Sequence, residues 1–293
     1  MSLETVILLV LKTSIVLDTL GAGLQTTFGE ATSLFRRPSD LARAFVSMNV
    51  VMPVFALALA MTFNLHPAVK IALVALSVSP IPPLFPHRAL KAGDRDYTFG
   101  LLVAMGLLAI IVIPVAMKIF ERLTVLPLQM PARSVASLVG STIVLPLFGG
   151  IALRNLMPGF AQRVARPIGI LALVLLVLSF VPVLFMSART ILFLIGNGTV
   201  LSLVAFALVG LGAGYLFGGP ELENRRVLGL ATSARHPAIA VAIAQTNFPN
   251  QKLVVPAIVL YLLISIISGM VTGVTKRGKA ESTSGDMEVR KAA

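Results

Sequence analysis

The sequence predicts an all-α polytopic membrane protein of about nine transmembrane helices, arranged as two inverted repeats with two broken crossing helices. Three observations carry this expectation. Hydrophobic residues fill 57% of the 293 positions and charged residues only 12%, with a mean hydropathy of +0.94, which excludes an ordinary soluble domain and a disordered chain. Lys and Arg gather in every second loop between the apolar runs. Two of those runs are interrupted by proline beside charge, at corresponding places in the two halves.

The apolar runs give the spans in order. Span 1 is read over 3–25, span 2 over 43–63 and a broken span 3 over 68–90. Spans 4, 5 and 6 follow over 97–120, 133–153 and 167–187. Span 7 covers 190–218, a broken span 8 covers 224–246, and span 9 covers 253–275. The first run lacks a basic leader and a small-residue cleavage site, so it is read as a span and not as a signal peptide. Residues 276–293 are polar and are expected to form a disordered cytoplasmic tail. A single transmembrane domain, 1–275, then holds repeat one at about 3–120, a connector helix at 133–153 and repeat two at about 167–275.

The net charge of +12 would suggest nucleic acid in a soluble protein. Here it reports topology: sixteen Lys and Arg fall in one set of loops, six in the other, and Lys12 and Arg235 lie inside spans. This bias puts the C-terminus in the cytoplasm and, with nine spans, the N-terminus outside, in a multi-pass protein of the cell inner membrane. Nucleic acid is excluded as a partner and the lipid bilayer is the environment. The chain has no cysteine, hence no disulfide and no thiolate metal site, and its histidines, His66, His87 and His236, lack the clustered carboxylates of a zinc site. Neither a metal nor a cofactor is expected.

The two interrupted spans concentrate the candidate chemistry. Ala231 to Asn247 reads ATSARHPAIAVAIAQTN, with Arg235, His236 and Pro237 together. Pro237 removes a backbone donor and breaks the helix there. Ser77 to Asp94 reads SVSPIPPLFPHRALKAGD, with Pro80, Pro82, Pro83 and Pro86 before His87 and Arg88. One stretch carries Pro-His-Arg and the other Arg-His-Pro. Unpaired backbone groups at membrane depth are tolerated only where they face protein or a cavity.

Arg235 stands about 16 Å from either end of its span, too deep to snorkel, so it either contacts a ligand or caps carbonyls freed by the neighbouring break. His236 is a residue type that titrates near neutral pH, so it is either a proton carrier and anion donor or a packed polar residue. Arg88 is read as snorkelling to the headgroups, and His87 as a second binding candidate beside Pro83. Thr232, Ser233 and Asn247 line the second broken helix with neutral polar groups, and Asn49 and Gln245 offer amides that could hold a coupling ion. Lys12 and Asp18 lie in span 1, six residues and about 600° of rotation apart, so they occupy different faces. Lys12 is a substrate-binding candidate, and Asp18 is the best acid for proton coupling. Gly210, Gly212 and Gly214 are expected to allow close helix packing. No G-x-S-x-G, H-E-x-x-H, Walker loop or paired intramembrane aspartates occur, and no enzyme is expected.

The run GAGLQTTFGEATSLFRRPSDLARAFVSMNVVMP, with its basic-P-x-D loop and Met52-Pro53, resembles the bile acid:sodium symporter family. GLGAGYLFG, Gly210 to Gly218, is similar to that family's Gly-rich helix before a broken helix, and the resemblance extends from about Val10 to Gly273. It implies a core domain with the two crossing helices, a flatter panel domain, and alternating access by movement of one against the other. Residues that would supply sodium ligands are replaced. Ala231 stands where a Glu would fall, Leu84 and Phe85 replace Ser and Asn, Met48 replaces Gln, and apolar residues fill Leu102 to Gly106. A fixed guanidinium in the same place would repel a cation.

Residues and resemblance together predict a secondary active transporter of a small organic anion. Arg235, His236, Thr232, Ser233, His87, Pro83 and Lys12 are the binding residues; Asp18, His236, Asn49 and Gln245 are the coupling residues. Proton coupling or exchange is favoured over sodium. The alternatives are a sodium-coupled bile-acid-type symporter and a membrane sensor or binding module without turnover.

Overall fold

The computed structural model describes residues 3–82, 85–90, 93–123 and 132–268. Pro83, Leu84 and the tail at 276–293 lie outside the described residues, and only the backbone of His87 and Arg88 is described. Every regular element among the described residues is helical. Helix α1 is Leu3–Gln25 and the one-turn α2 is Phe28–Thr32. Helix α3, Pro38–Thr62, contains a π turn at Ser47–Val51. The first broken span is α4, Pro67–Val78, and α5, Phe85–Ala89. Helix α6 is Arg95–Leu123. Helix α7 starts at Ala132–Val139 and runs through a second π turn, Gly140–Val144, into Leu145–Leu156. Helices α8, Pro158–Leu194, and α9, Thr199–Phe217, follow. The second broken span is α10, Leu222–Ser233, and α11, Pro237–Asn247, and the last described helix is α12, Val254–Ser268.

Six of these stretches are long and apolar enough to cross a membrane: α3, α6, α7 from Ala136, α8, α9 and the α10–α11 pair. Helices α4 and α12 are shorter apolar helices. Large apolar side chains on α8, among them Leu171, Val177, Leu178 and Phe185, face outward, as a lipid-facing helix requires.

Two boundaries differ from the expectation. Arg189 was read as a loop between spans 6 and 7, but it lies inside α8, because nothing in Ser187-Ala188-Arg189 breaks a helix. The chain turns instead at Gly196, Asn197 and Gly198, where all three residues take positive φ. Arg163 and Arg166 likewise belong to the first turns of α8 rather than to a loop.

The interior is divided in two. One apolar cluster joins α4 to α6, α9, α11 and α12 through residues such as Leu73, Leu76, Ile113, Phe206, Ile243 and Ile258. The other joins α3, α5, α6, α7 and α10 through Leu34, Met48, Phe85, Leu101, Leu147 and Leu228. The breaks in α4–α5 and α10–α11 fall where these clusters meet, since Val78 and Ile239 belong to the first and Ile81 and Ala231 to the second.

Glycines set the closest approaches. A Cβ on Gly23 would lie 2.2 Å from the Leu147 carbonyl oxygen, and one on Gly150 would lie 2.5 Å from that of Leu20, so α1 and α7 touch backbone to backbone. On α9, Gly210 and Gly214 press in the same way on Ser233 and Leu228 of α10. Gly212, which was expected to share that role, faces open space. On a helix, residues 210 and 214 share a face and 212 points away from it.

Gly214→Ala should therefore cost about 1–3 kcal/mol through backbone overlap at 2.3 Å with Leu228. Gly212→Ala should leave stability level or raise it by about 0.5–1 kcal/mol. Thermal midpoints of the two purified variants check the contrast, and equal midpoints would rule out the packing role.

Candidate functional site

In a helix the last four carbonyls lose their partners, and a break inside a membrane span creates such an end at depth. Helix α4 ends at Val78 because Pro80 and Pro82 cannot continue it. Several carbonyls at and just past its end have donors. Ser77 Oγ donates to Val74 O at 2.8 Å, and Ser79 Oγ donates to Leu76 O at 2.8 Å. Arg235 Nη1 donates to Ser79 O at 3.2 Å. The backbone N–H of His236 donates to Pro80 O at 2.9 Å, which joins one break directly to the other.

The second break is satisfied similarly. Helix α10 ends at Ser233, whose carbonyl accepts from the Tyr261 hydroxyl of α12, while Ser233 Oγ turns back to Leu230 O at 3.0 Å. The hydroxyls of Thr232 and Ser47 share a hydrogen bond of 2.9 Å. Pro237 occupies the first turn of α11, where its missing N–H costs nothing.

The π turn in α3 supplies the remaining partner. At that wider spacing the carbonyl of Met48 would need an N–H from residue 53, and Pro53 has none. Arg235 Nη2 donates to Met48 O at 3.1 Å. The guanidinium thus bonds two carbonyls on two elements while only 2% of the residue is exposed. It sits beside the C-terminal end of α4, where the helix dipole favours positive charge.

Three buried polar atoms at this crossing have no partner among the described residues: Arg235 Nε and both ring nitrogens of His236. His236 is 2% exposed and does not cap α11 with its side chain. No carboxylate pairs with Arg235 among the described residues. Beyond the crossing, between α4 and α11, the free space is apolar and about 10 Å³, room for no more than about one water. The crossing is closed in this conformation.

Of the residues singled out in the sequence, Arg235, His236, Thr232 and Ser233 are brought together here. Asn49 is half-buried one residue beyond Met48, with its amide on Met105 Sδ at 3.6 Å. Gln245 is exposed near the far end of α11, and Asn247 Nδ2 donates to Ile243 O at 2.8 Å. Asp18 is buried on α1, which packs on α7 and α8. Lys12 is exposed on a different face and lines a separate groove with Arg133. Pro83 lies outside the described residues, as does the His87 side chain. Residues not anticipated are Ser47, Ser79, Tyr261 and the Met48 carbonyl. Only Pro53 and Pro80 hinted at them, by removing donors.

Tyr261→Phe keeps the ring and deletes the hydroxyl that reaches Ser233 O. It should leave that buried carbonyl unsatisfied and lower stability by about 1–3 kcal/mol, read as a fall in thermal midpoint. An unchanged midpoint would mean that the carbonyl has another donor.

No curated protein matches the chain across its length or in part. A match to a family is found, the Sodium Bile acid symporter family, over residues 14–193, which runs from the middle of α1 to the end of α8 and takes in the whole first break. Helices with outward apolar faces, a polar crossing and this match agree: the chain belongs to the Sodium Bile acid symporter family of membrane transporters.

Proposed function

We propose that the protein is a secondary active transporter that moves a small organic anion across the inner membrane by alternating access, without sodium. On this reading the chain has nine spans in two inverted halves, with the N-terminus outside and the C-terminus in the cytoplasm, as the distribution of Lys and Arg favours. The observation that carries the proposal is the Arg235 guanidinium, buried and bonded to the carbonyls of Ser79 and Met48. Carbonyls converging at broken helix ends make a place for a cation. Here a tethered cation already occupies it, and a second one beside it would be repelled.

The same charge defines the substrate. A buried cation without a counter-charge is costly, by several kcal/mol after relaxation. An anionic substrate entering at the crossing supplies that counter-charge. Arg235 Nε, the His236 ring and the first N–H groups of α11 are the donors that would meet its acidic group. Thr232 and Ser233 are hydroxyls in reach of the same place, with His87 and Pro83 on the facing break. Coupling then falls to protons, through Asp18 or His236, or to exchange against a second anion. Asn49 and Gln245 would assist as neutral ligands.

The test is uptake of a panel of labelled carboxylates into proteoliposomes, with sodium replaced by potassium and pH varied independently. Uptake should be indifferent to the replacement and respond to pH or to an internal anion. Arg235→Ala should reduce it by at least about tenfold, the loss of one charge-assisted contact. Uptake that requires external sodium would restore the coupling that the family description names. Saturable binding without flux would make the protein a sensor, and undiminished uptake by Arg235→Ala would remove the site from the crossing.

A further inference from the structure

Away from the crossing, α1 and the first half of α7 flank an open groove of about 450 Å³ lined by Lys12, Arg133, Ser134, Ser137, Leu138 and Ser141. Serines 134, 137 and 141 are spaced three and four residues apart, so they share one helical face. Lys12 lies about 14 Å along α1 from Leu3, and Ser141 lies about 14 Å along α7 from Ala132, so the groove reaches well below the helix ends. A Lys at that depth cannot face hydrocarbon cheaply, since a central Lys or Arg costs about 2.5–3.5 kcal/mol even on insertion scales; Ser137 and Ser141 stand along the same groove, and Arg133 marks its mouth at the start of α7. The groove is therefore lined for water and solutes.

Two further features make it a built site. Neither Lys12 nor Arg133 has a carboxylate partner among the described residues, so both charges are available to a ligand. The groove also ends at the second π turn, Gly140–Val144. There Pro146 cannot supply the N–H that the Ser141 carbonyl would need at π spacing. This repeats the construction by which Pro53 frees Met48 at the crossing. A volume of this size suits an organic molecule rather than a bare inorganic ion, and a lining with a single apolar residue suits a polar one.

We infer that this groove is a second anion-binding site, which takes the oxyanion end of a polar organic acid between Lys12 and Arg133 with the serine hydroxyls as further donors. It rests on the organic-anion reading for its class of ligand, and the Lys and Arg count places it on the outer face, where it would hold the acid before it reaches the crossing. An anionic phospholipid headgroup offers the same oxyanion chemistry from a different source.

The absence of cysteine allows a direct test. Ser137→Cys gives a single thiol in the groove, and its rate of modification by sulfonatoethyl methanethiosulfonate is measured in nanodiscs of neutral lipid, with malate as probe. Malate should slow the modification saturably. Adding Lys12→Gln and Arg133→Gln should raise the malate concentration needed by about tenfold or more. Slow modification in phosphatidylglycerol nanodiscs without malate, relieved by the same two substitutions, would support the site and identify the lipid headgroup as its occupant. A rate that neither malate nor phosphatidylglycerol alters, or protection that survives the double substitution, overturns the inference. The readout requires no transport, so a failed groove is distinguishable from a failed reading of the crossing.

Discussion

The rest of the structure depends on one constraint: a backbone carbonyl at membrane depth must find its donor inside the protein. Two broken helices in one small chain multiply that demand. The donors run from the second break to the first. The first break accepts from the second through Pro80 O and Ser79 O, and the second is closed by Tyr261 from α12. Neither break is satisfied by its own span alone, so the irregular backbone of the first depends on the second.

Arg235 has the largest share because of its shape. A guanidinium is a planar fork with several donors in fixed directions, and Lys could not reach Ser79 O and Met48 O at once with the same geometry. The fork ties α3 and α4 to the second break, and the Gly210–Gly214 face ties α9 to α10. On the other side, the backbone contact of Gly23 with Leu147 ties α1 to α7. Polar links join α2 to α6, where Glu30 closes a capping box on Thr27 and accepts from Arg95 at 2.5 Å. Such partly exposed links exchange with water at little cost. The two sets also share buried apolar packing, since Leu147 and Ile151 of α7 lie in one cluster with Met48 of α3 and Leu228 of α10.

Much of this was legible in the sequence. Apolar runs and proline positions mark both breaks, and the Arg-His-Pro triplet marks the charge at the second. Capping of freed carbonyls was one of two readings open for Arg235, and the hydrogen bonds to Ser79 and Met48 match it. Its partners were not legible, because they are backbone atoms more than a hundred residues away and backbone atoms carry no sequence signal. Pro53 was the one available clue, read as a helix landmark and not as the absence of a donor for Met48. The α8–α9 boundary is not legible from charge: Arg189 suggests a loop but lies inside α8, while the true turn, Gly196-Asn197-Gly198, carries no charge and is marked only by its tolerance of positive φ. Gly212 was grouped with its neighbours although helical periodicity alone separates it from them.

The proposed replacement of a mobile cation by Arg235 has an energetic consequence. An ion that binds from one side and leaves on the other carries the work of its gradient into the cycle. A guanidinium held by the chain returns to the same place in every turnover, so it stabilises the crossing but contributes no driving force. The carbonyls of Ser79 and Met48 are then permanently satisfied, and the crossing no longer needs an ion to close. Closure is left to the substrate, whose negative charge changes the balance at Arg235 and His236. On the proposed reading such a transporter gains nothing from sodium and must draw its work from a proton or from a second anion.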